Sequence, residues 1–302
     1  MSFTLQNVPS QQGKIAIVTG ANAGLGYETV IGLSQKEAKV IMACRNMEKA
    51  EKAKSNILDK LPHADLDIMQ LDLASLKFIR AFADHFRNKY NKLDLLINNA
   101  GVMMPPKSTT KDGFELQFGV NHLGHFLLTA LLIELMPDHS DSRIVSLSSI
   151  VHKGGEIHFD DLQWENSYDR QDTYSQSKLA CLMFGDELDR RLRAAGKEKL
   201  SVTAHPGTSP TELSRHLPSW FTALFNAIGP LFRHAPDKGA QPTLKAALDT
   251  SVSGGDYYGP QGFREMKGEP GHAKRSEVAK DKKTAKKLWE ISETLTDCTF
   301  TV

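Results

Sequence analysis

Lys14-Ile15-Ala16-Ile17-Val18-Thr19-Gly20-Ala21-Asn22-Ala23-Gly24-Leu25-Gly26 passes from an apolar run straight into a turn with three glycines. An apolar run that stops at glycine is how a buried parallel strand ends before its helix. Side-chain-free residues there let backbone amides approach a pyrophosphate, and the dipole of the following helix favours the charge. The residues singled out for this contact are Gly20, Asn22, Gly24, Leu25 and Gly26. The glycines are spaced four and then two apart, so the turn is a variant of the Gly-x-Gly-x-x-Gly pattern rather than a copy of it.

Similar apolar runs recur at 39–43, 66–71, 93–97, 143–147 and 200–204, separated by helix-like sequence at 26–37, 47–59, 75–90 and 113–136. This alternation predicts an α/β fold, a Rossmann-like doubly wound parallel sheet in one domain. Ligands of such sheets bind outside the carboxyl ends of the strands. A second register of sequence begins near residue 209. Between Thr211 and Arg233 the chain is rich in Leu, Phe and Trp but broken by Pro218, Gly229 and Pro230, which reads as a small helical lid at about 209–238, with an ordinary surface helix pair or a patch that touches membrane or another subunit as the alternatives. Trp220, Phe221, Leu224, Phe225 and Phe232 would give that lid an apolar wall. A lysine-rich amphipathic helix is expected at about 276–297.

Acids and bases nearly cancel over the 302 residues, leaving a formal charge of +1 and no electrostatic reason to expect a nucleic-acid partner. The three cysteines, Cys44, Cys181 and Cys298, form no metal-binding spacing and suit a reducing, cytoplasmic setting. The stretch from Met1 to Gly13 is polar, and no uninterrupted apolar run of about 18 residues appears, so no membrane span is expected.

Arg45 stands about twenty residues beyond the glycine turn, where folds that bind NAD place an acid on the ribose hydroxyls. An arginine there suits a ribose 2′-phosphate, and a charge-assisted bond of about 1.5 to 3 kcal/mol favours NADP over NAD by about one to two orders of magnitude. Asp72 and Leu73 follow the third strand, Asp72 placed to accept from an adenine amino group and Ser75 to cap the next helix. Further on, Tyr174-Ser175-Gln176-Ser177-Lys178 stacks a phenol and an ammonium one helical turn apart. A tyrosine with its ordinary pKa of about 10 exchanges a proton near neutrality when a cation favours the phenolate.

The glycine turn, Asn98-Asn99-Ala100-Gly101, Asn121, Ser148-Ser149 and Tyr174/Lys178, in this order, resemble the short-chain dehydrogenases/reductases. Ala43-Cys44-Arg45, Asn121-His122-Leu123-Gly124-His125-Phe126 and His205-Pro206-Gly207 are similar to the branch that holds retinol dehydrogenases and the reductase domain of WW-domain oxidoreductase. The resemblance implies an NADP(H)-dependent oxidoreductase that interconverts an aldehyde or ketone and its alcohol. In it Tyr174 passes the proton, and Lys178 holds the nicotinamide ribose and lowers the tyrosine pKa. Ser149, the usual choice over Ser148, bonds the substrate oxygen, and Asn121 anchors a water of the proton relay. Asn98, Ala100 and Gly101 would floor the adenine ribose, and Pro206, Gly207 and Thr208 would shape the nicotinamide side. Thr211 would cap the lid or touch phosphate. A small-molecule substrate and a homodimer or homotetramer are implied. The alternative is a non-catalytic NADP-binding redox sensor that controls a partner.

The segment from His152 to Thr173 lengthens the Ser149-to-Tyr174 interval to 25 positions and is expected at the pocket mouth. His122 and His125 read as core or polar packing rather than a metal pair, and Asp160-Asp161 as a turn. Tyr257-Tyr258 reads equally as pocket wall or as packing beneath the last helix.

Overall fold

The structure, a computed structural model, describes residues 3–207 and 235–302. An eight-stranded sheet carries the fold: β1 Ile15–Thr19, β2 Lys39–Cys44, β3 Leu66–Gln70, β4 Leu95–Asn98, β5 Arg143–Leu147, β6 Leu200–Ala204, β7 Tyr257–Pro260 and β8 Pro270–His272. The spatial order is β3-β2-β1-β4-β5-β6-β7-β8, parallel throughout except for β8, which runs antiparallel to β7 at one edge. The chain reverses direction across the sheet between β1 and β4. That crossover opens a crevice at the strands' carboxyl ends.

Alternation along each strand feeds two apolar layers. Ala16 and Val18 of β1 join Val40, Met42, Leu95, Ile97 and Val145 on one face. Ile17 joins Ile41, Leu96, Ile144, Phe82, Phe86 and Leu127 on the other. Helices cover both faces because their apolar residues recur every three or four positions, as with Ile79, Phe82, Ala83 and Phe86 of the Leu76–Lys89 helix. Polar caps fix where helices start. Asn46 accepts from the amide of Lys49, Ser75 from that of Phe78, and Asp169 from those of Gln171 and Asp172.

Several expectations shift. β7 and β8 were not among the expected strands; Tyr257 and Tyr258 lie on β7, both buried. The expected 113–136 helix is divided into an α turn at Leu116–Phe118, a π turn at Gly119–Leu123, the α-helix Gly124–Leu132 and a 3₁₀ turn at Ile133–Leu135. The stretch Leu116–Leu135 is long and apolar enough by composition to cross a membrane, but 83% of its most apolar window is buried within the protein. The C-terminal helix is Lys282–Thr296, since Asp281 caps it by accepting from the amide of Lys283. The expected lid, with Thr208, Thr211 and its aromatic residues, lies outside the described residues. Its last positions, 236–238, open the helix Pro236–Leu248.

Candidate active site

The crevice between β1 and β4 holds a cavity of about 320 Å³. Gly20, Asn22, Gly24, Leu25 and Gly26 line it from the turn, with Gly24 starting the helix Gly24–Gln35, so the amide end of that helix faces the space. Gly20 has φ 66°, a left-handed conformation that glycine adopts without strain. At Gly26 a Cβ would lie 2.4 Å from the Gly20 carbonyl oxygen, so the turn closes this tightly only around glycine.

Arg45, Asp72, Leu73, Ala100 and Gly101 also line the cavity. Arg45 is exposed, and no acid pairs with it among the described residues. Lys49, one helical turn on, lines the same end and was not among the expected residues. The signal was present, since Asn46 caps the helix and fixes which way position 49 faces. Asp72 is already engaged: its carboxylate meets Lys111 at 3.0 Å and accepts from the amide of Ala74 at 3.1 Å.

Asn98 departs from expectation. It is the last residue of β4, and its side chain turns into the core, donating to Thr129 Oγ1 at 3.0 Å. Asn99 is the cavity residue instead. Its side chain donates to the Thr19 carbonyl at 2.7 Å and ties the floor of the site to the glycine turn. Pro206 and Gly207, at the end of β6, do not line this cavity, and Thr208 lies outside the described residues. None of the segment from His152 to Thr173 lines the cavity either. It packs on the loop before Leu116, with Lys107 Nζ donating to the Trp164 carbonyl at 2.8 Å and the Tyr168 hydroxyl to that of Pro105 at 3.2 Å.

Tyr174 and Lys178 sit on the Arg170–Ala194 helix, both buried. Gly101 joins this pair to the cavity: a Cβ there would be 3.1 Å from Asn121 Oδ1 and 3.5 Å from Lys178 Nζ. Asn121 lies in the π turn. Its Oδ1 accepts from the amide of Val102 at 2.8 Å, and its Nδ2 donates to Ser177 Oγ at 2.9 Å. The serines divide by face. Ser148 Oγ donates to the Lys178 carbonyl at 2.7 Å, whereas Ser149 is half-buried and its hydroxyl favours the ionised form of the Tyr174 phenol.

The expected lowering of the Tyr174 pKa is not what this surrounding does. Burial pushes the phenol well above its usual range, and the Ser149 hydroxyl opposes this only partly. Lys178 is itself pushed down by burial, and its ammonium donates to the Leu147 carbonyl at 3.0 Å, 6.0 Å from the Tyr174 ring centroid. Desolvation is the largest influence on both groups. Tyr257 is buried on β7, with its ring edge-on to His152 at 5.6 Å. His122 and His125 are buried in the core, and Asp161 forms a turn by accepting from the amides of Glu165 and Asn166.

A glycine turn on a helix N-terminus, at the crossover of a parallel sheet, is the arrangement that cradles a dinucleotide. A short chain dehydrogenase family model matches residues 14–220. Retinol dehydrogenase 13 of Homo sapiens is 42% identical over 293 residues, which covers 94% of this chain and 84% of that protein. Retinol dehydrogenase 11 of Mus musculus is 47% identical over 250 residues, covering 81% and 77%. A crystal structure of an uncharacterized protein from Mycobacterium paratuberculosis is 38% identical, with a TM-score of 0.84 over 100% of both chains. The chain belongs to the short-chain dehydrogenase family of oxidoreductases, in its retinol dehydrogenase branch.

Proposed function

We propose that the protein is an NADP(H)-dependent oxidoreductase that interconverts a lipophilic aldehyde or ketone and its alcohol. The observation that supports this best is the adjacency of a cation-rimmed nucleotide cavity to the buried Tyr174 and Lys178 and the half-buried Ser149, joined through Gly101 and Asn121. A bound nicotinamide supplies the hydride in reduction and takes it in oxidation. Gly20, Asn22, Gly24, Leu25 and Gly26 receive the pyrophosphate, Arg45 and Lys49 the 2′-phosphate, and Asp72 and Leu73 the adenine. Ala100 and Gly101 would pack under the adenine ribose.

Tyr174 gives its phenolic proton to the substrate oxygen. Burial keeps that proton in place until the oxygen becomes basic, which suits a general acid in the reductive direction. The Ser149 hydroxyl donates to the same oxygen as negative charge develops on it. Lys178 holds the nicotinamide ribose hydroxyls, and Asn121, fixed by its bonds to the Val102 backbone and Ser177 Oγ, anchors the water that returns the proton from solvent.

The test is NADPH consumption by the purified protein against aliphatic, aromatic and polyene carbonyls. Retinal comes first on that panel because of the names its relatives carry. Tyr174→Phe should lower turnover by about a hundredfold to ten-thousandfold with NADPH affinity retained. Undiminished turnover in that variant refutes the role of the phenol, and nucleotide binding without turnover of any carbonyl favours the redox sensor.

A further inference from the structure

His122 and His125 lie three apart and are both buried, yet they hold different things. His122 bonds Ser292 Oγ at 2.7 Å on the C-terminal helix and packs among the rings of Phe118, Phe126 and Phe184. That is a core contact. His125 has each ring nitrogen on a part of the site. Its Nδ1 is 2.9 Å from the main-chain oxygen of Asn121, and its Nε2 is 2.9 Å from Thr19 Oγ1.

The Thr19 hydroxyl fixes which nitrogen carries the proton. It accepts from the amides of Asn99 and Ala100, both at 2.9 Å, which uses its lone pairs. Its own proton then goes to Nε2 at 2.9 Å in preference to the Ile97 carbonyl at 3.3 Å. Nε2 is therefore the bare nitrogen, and Nδ1–H donates to the Asn121 carbonyl. Burial and the nearby Lys178 charge keep the ring neutral, which this pattern requires.

Thr19 ends β1 and opens the glycine turn, while Asn99 and Ala100 form the facing wall of the cavity. Asn121 stands beside Lys178 and Gly101. One imidazole thus spans the nucleotide half and the proton-handling half. We propose that His125 is a positioning residue, a strut that sets the Asn121 carbonyl against the nucleotide turn and couples cofactor seating to proton transfer. This rests on the roles proposed above for Asn121, Tyr174 and Lys178.

Three substitutions separate the two ends. The amide of Asn reaches the place of Nδ1, that of Gln the place of Nε2, and Phe keeps ring volume with neither bond. His125→Phe should lower kcat about tenfold and raise the NADPH KM about tenfold, the scale of a buried hydrogen bond left unmade. His125→Asn should recover most of kcat but keep the raised KM, and His125→Gln should do the reverse. His122→Gln, equally buried, is the control that changes melting temperature alone.

Should every His125 variant behave like that control, with kcat and NADPH KM at wild-type values, the strut is refuted. If Phe does not fold, Asn and Gln still decide, since each keeps one bond. Failure of the enzyme reading itself looks different, because the wild type then turns over no carbonyl. NADPH fluorescence titration judges the strut in that event: weaker binding for Asn than for Gln supports it, and equal binding overturns it.

Discussion

Acidification from pH 7 to pH 5 should strip this fold of a large part of its stability through its buried histidines, among them His122 and His125. Burial lowers His122 to about 3, helped by His125 nearby, and His125 to about 4, helped by the Lys178 charge. In the unfolded chain each returns to about 6.5. Through this window the folded rings stay neutral while the unfolded ones take up protons. The unfolded state then binds more protons, so stability falls as pH drops below about 6.5 and levels off only near the folded values. At pH 5 the cost is about 2 kcal/mol for each ring, or about 4 kcal/mol together. A typical domain has about 5 to 15 kcal/mol in all. Urea unfolding at pH 7 and pH 5 measures it, on wild type and on His122→Gln, whose amide reaches Ser292 from the place of Nε2. The variant's drop between the two pH values should be smaller by about 2 kcal/mol. Carboxylates such as Glu115, raised by burial, act in both proteins alike and cancel in this comparison. Equal drops in the two proteins, or a wild type no weaker at pH 5, would falsify the argument.

Arg45→Ala should raise the NADPH KM about tenfold to a hundredfold and leave the NADH KM nearly unchanged, with Lys49→Ala doing the same more weakly; steady-state kinetics with both cofactors decides it. Gly26→Ala drives a Cβ against the Gly20 carbonyl at 2.4 Å, and fluorescence titration should show NADPH affinity lost by at least about tenfold. Asn98→Ala should cost about 1 to 3 kcal/mol in urea unfolding by leaving Thr129 Oγ1 without its donor, with NADPH affinity intact. Weakened NADPH binding in that variant would return Asn98 to the cofactor site.

Six strands were legible because parallel strands buried on both faces read as unbroken apolar runs, as in Ile15–Thr19 and Arg143–Leu147. Tyr257–Pro260 and Pro270–His272 escaped, since Gly and Pro in such short segments read as turn. Asn98 was misplaced for a subtler reason. Which of two adjacent asparagines faces the ligand depends on where β4 stops, and propensity does not fix a boundary to one residue. The π turn around Asn121 is likewise invisible, being one residue of extra winding in a stretch that reads as continuous helix. Lys49 could have been found from its place one turn after Arg45. The spacing of Tyr174 to Lys178 shows that they share a helix face but says nothing of how deeply both are buried, and that depth governs the phenol.

β8 is three residues long, opens on Pro270, and lies against Pro260 of β7. A proline presents no amide hydrogen, so this margin offers an incoming strand almost no ladder to extend. The sheet is thereby finished on that side, protected from edge-to-edge aggregation, and copies of the chain that associate would have to meet through helical faces rather than by lengthening a shared sheet there.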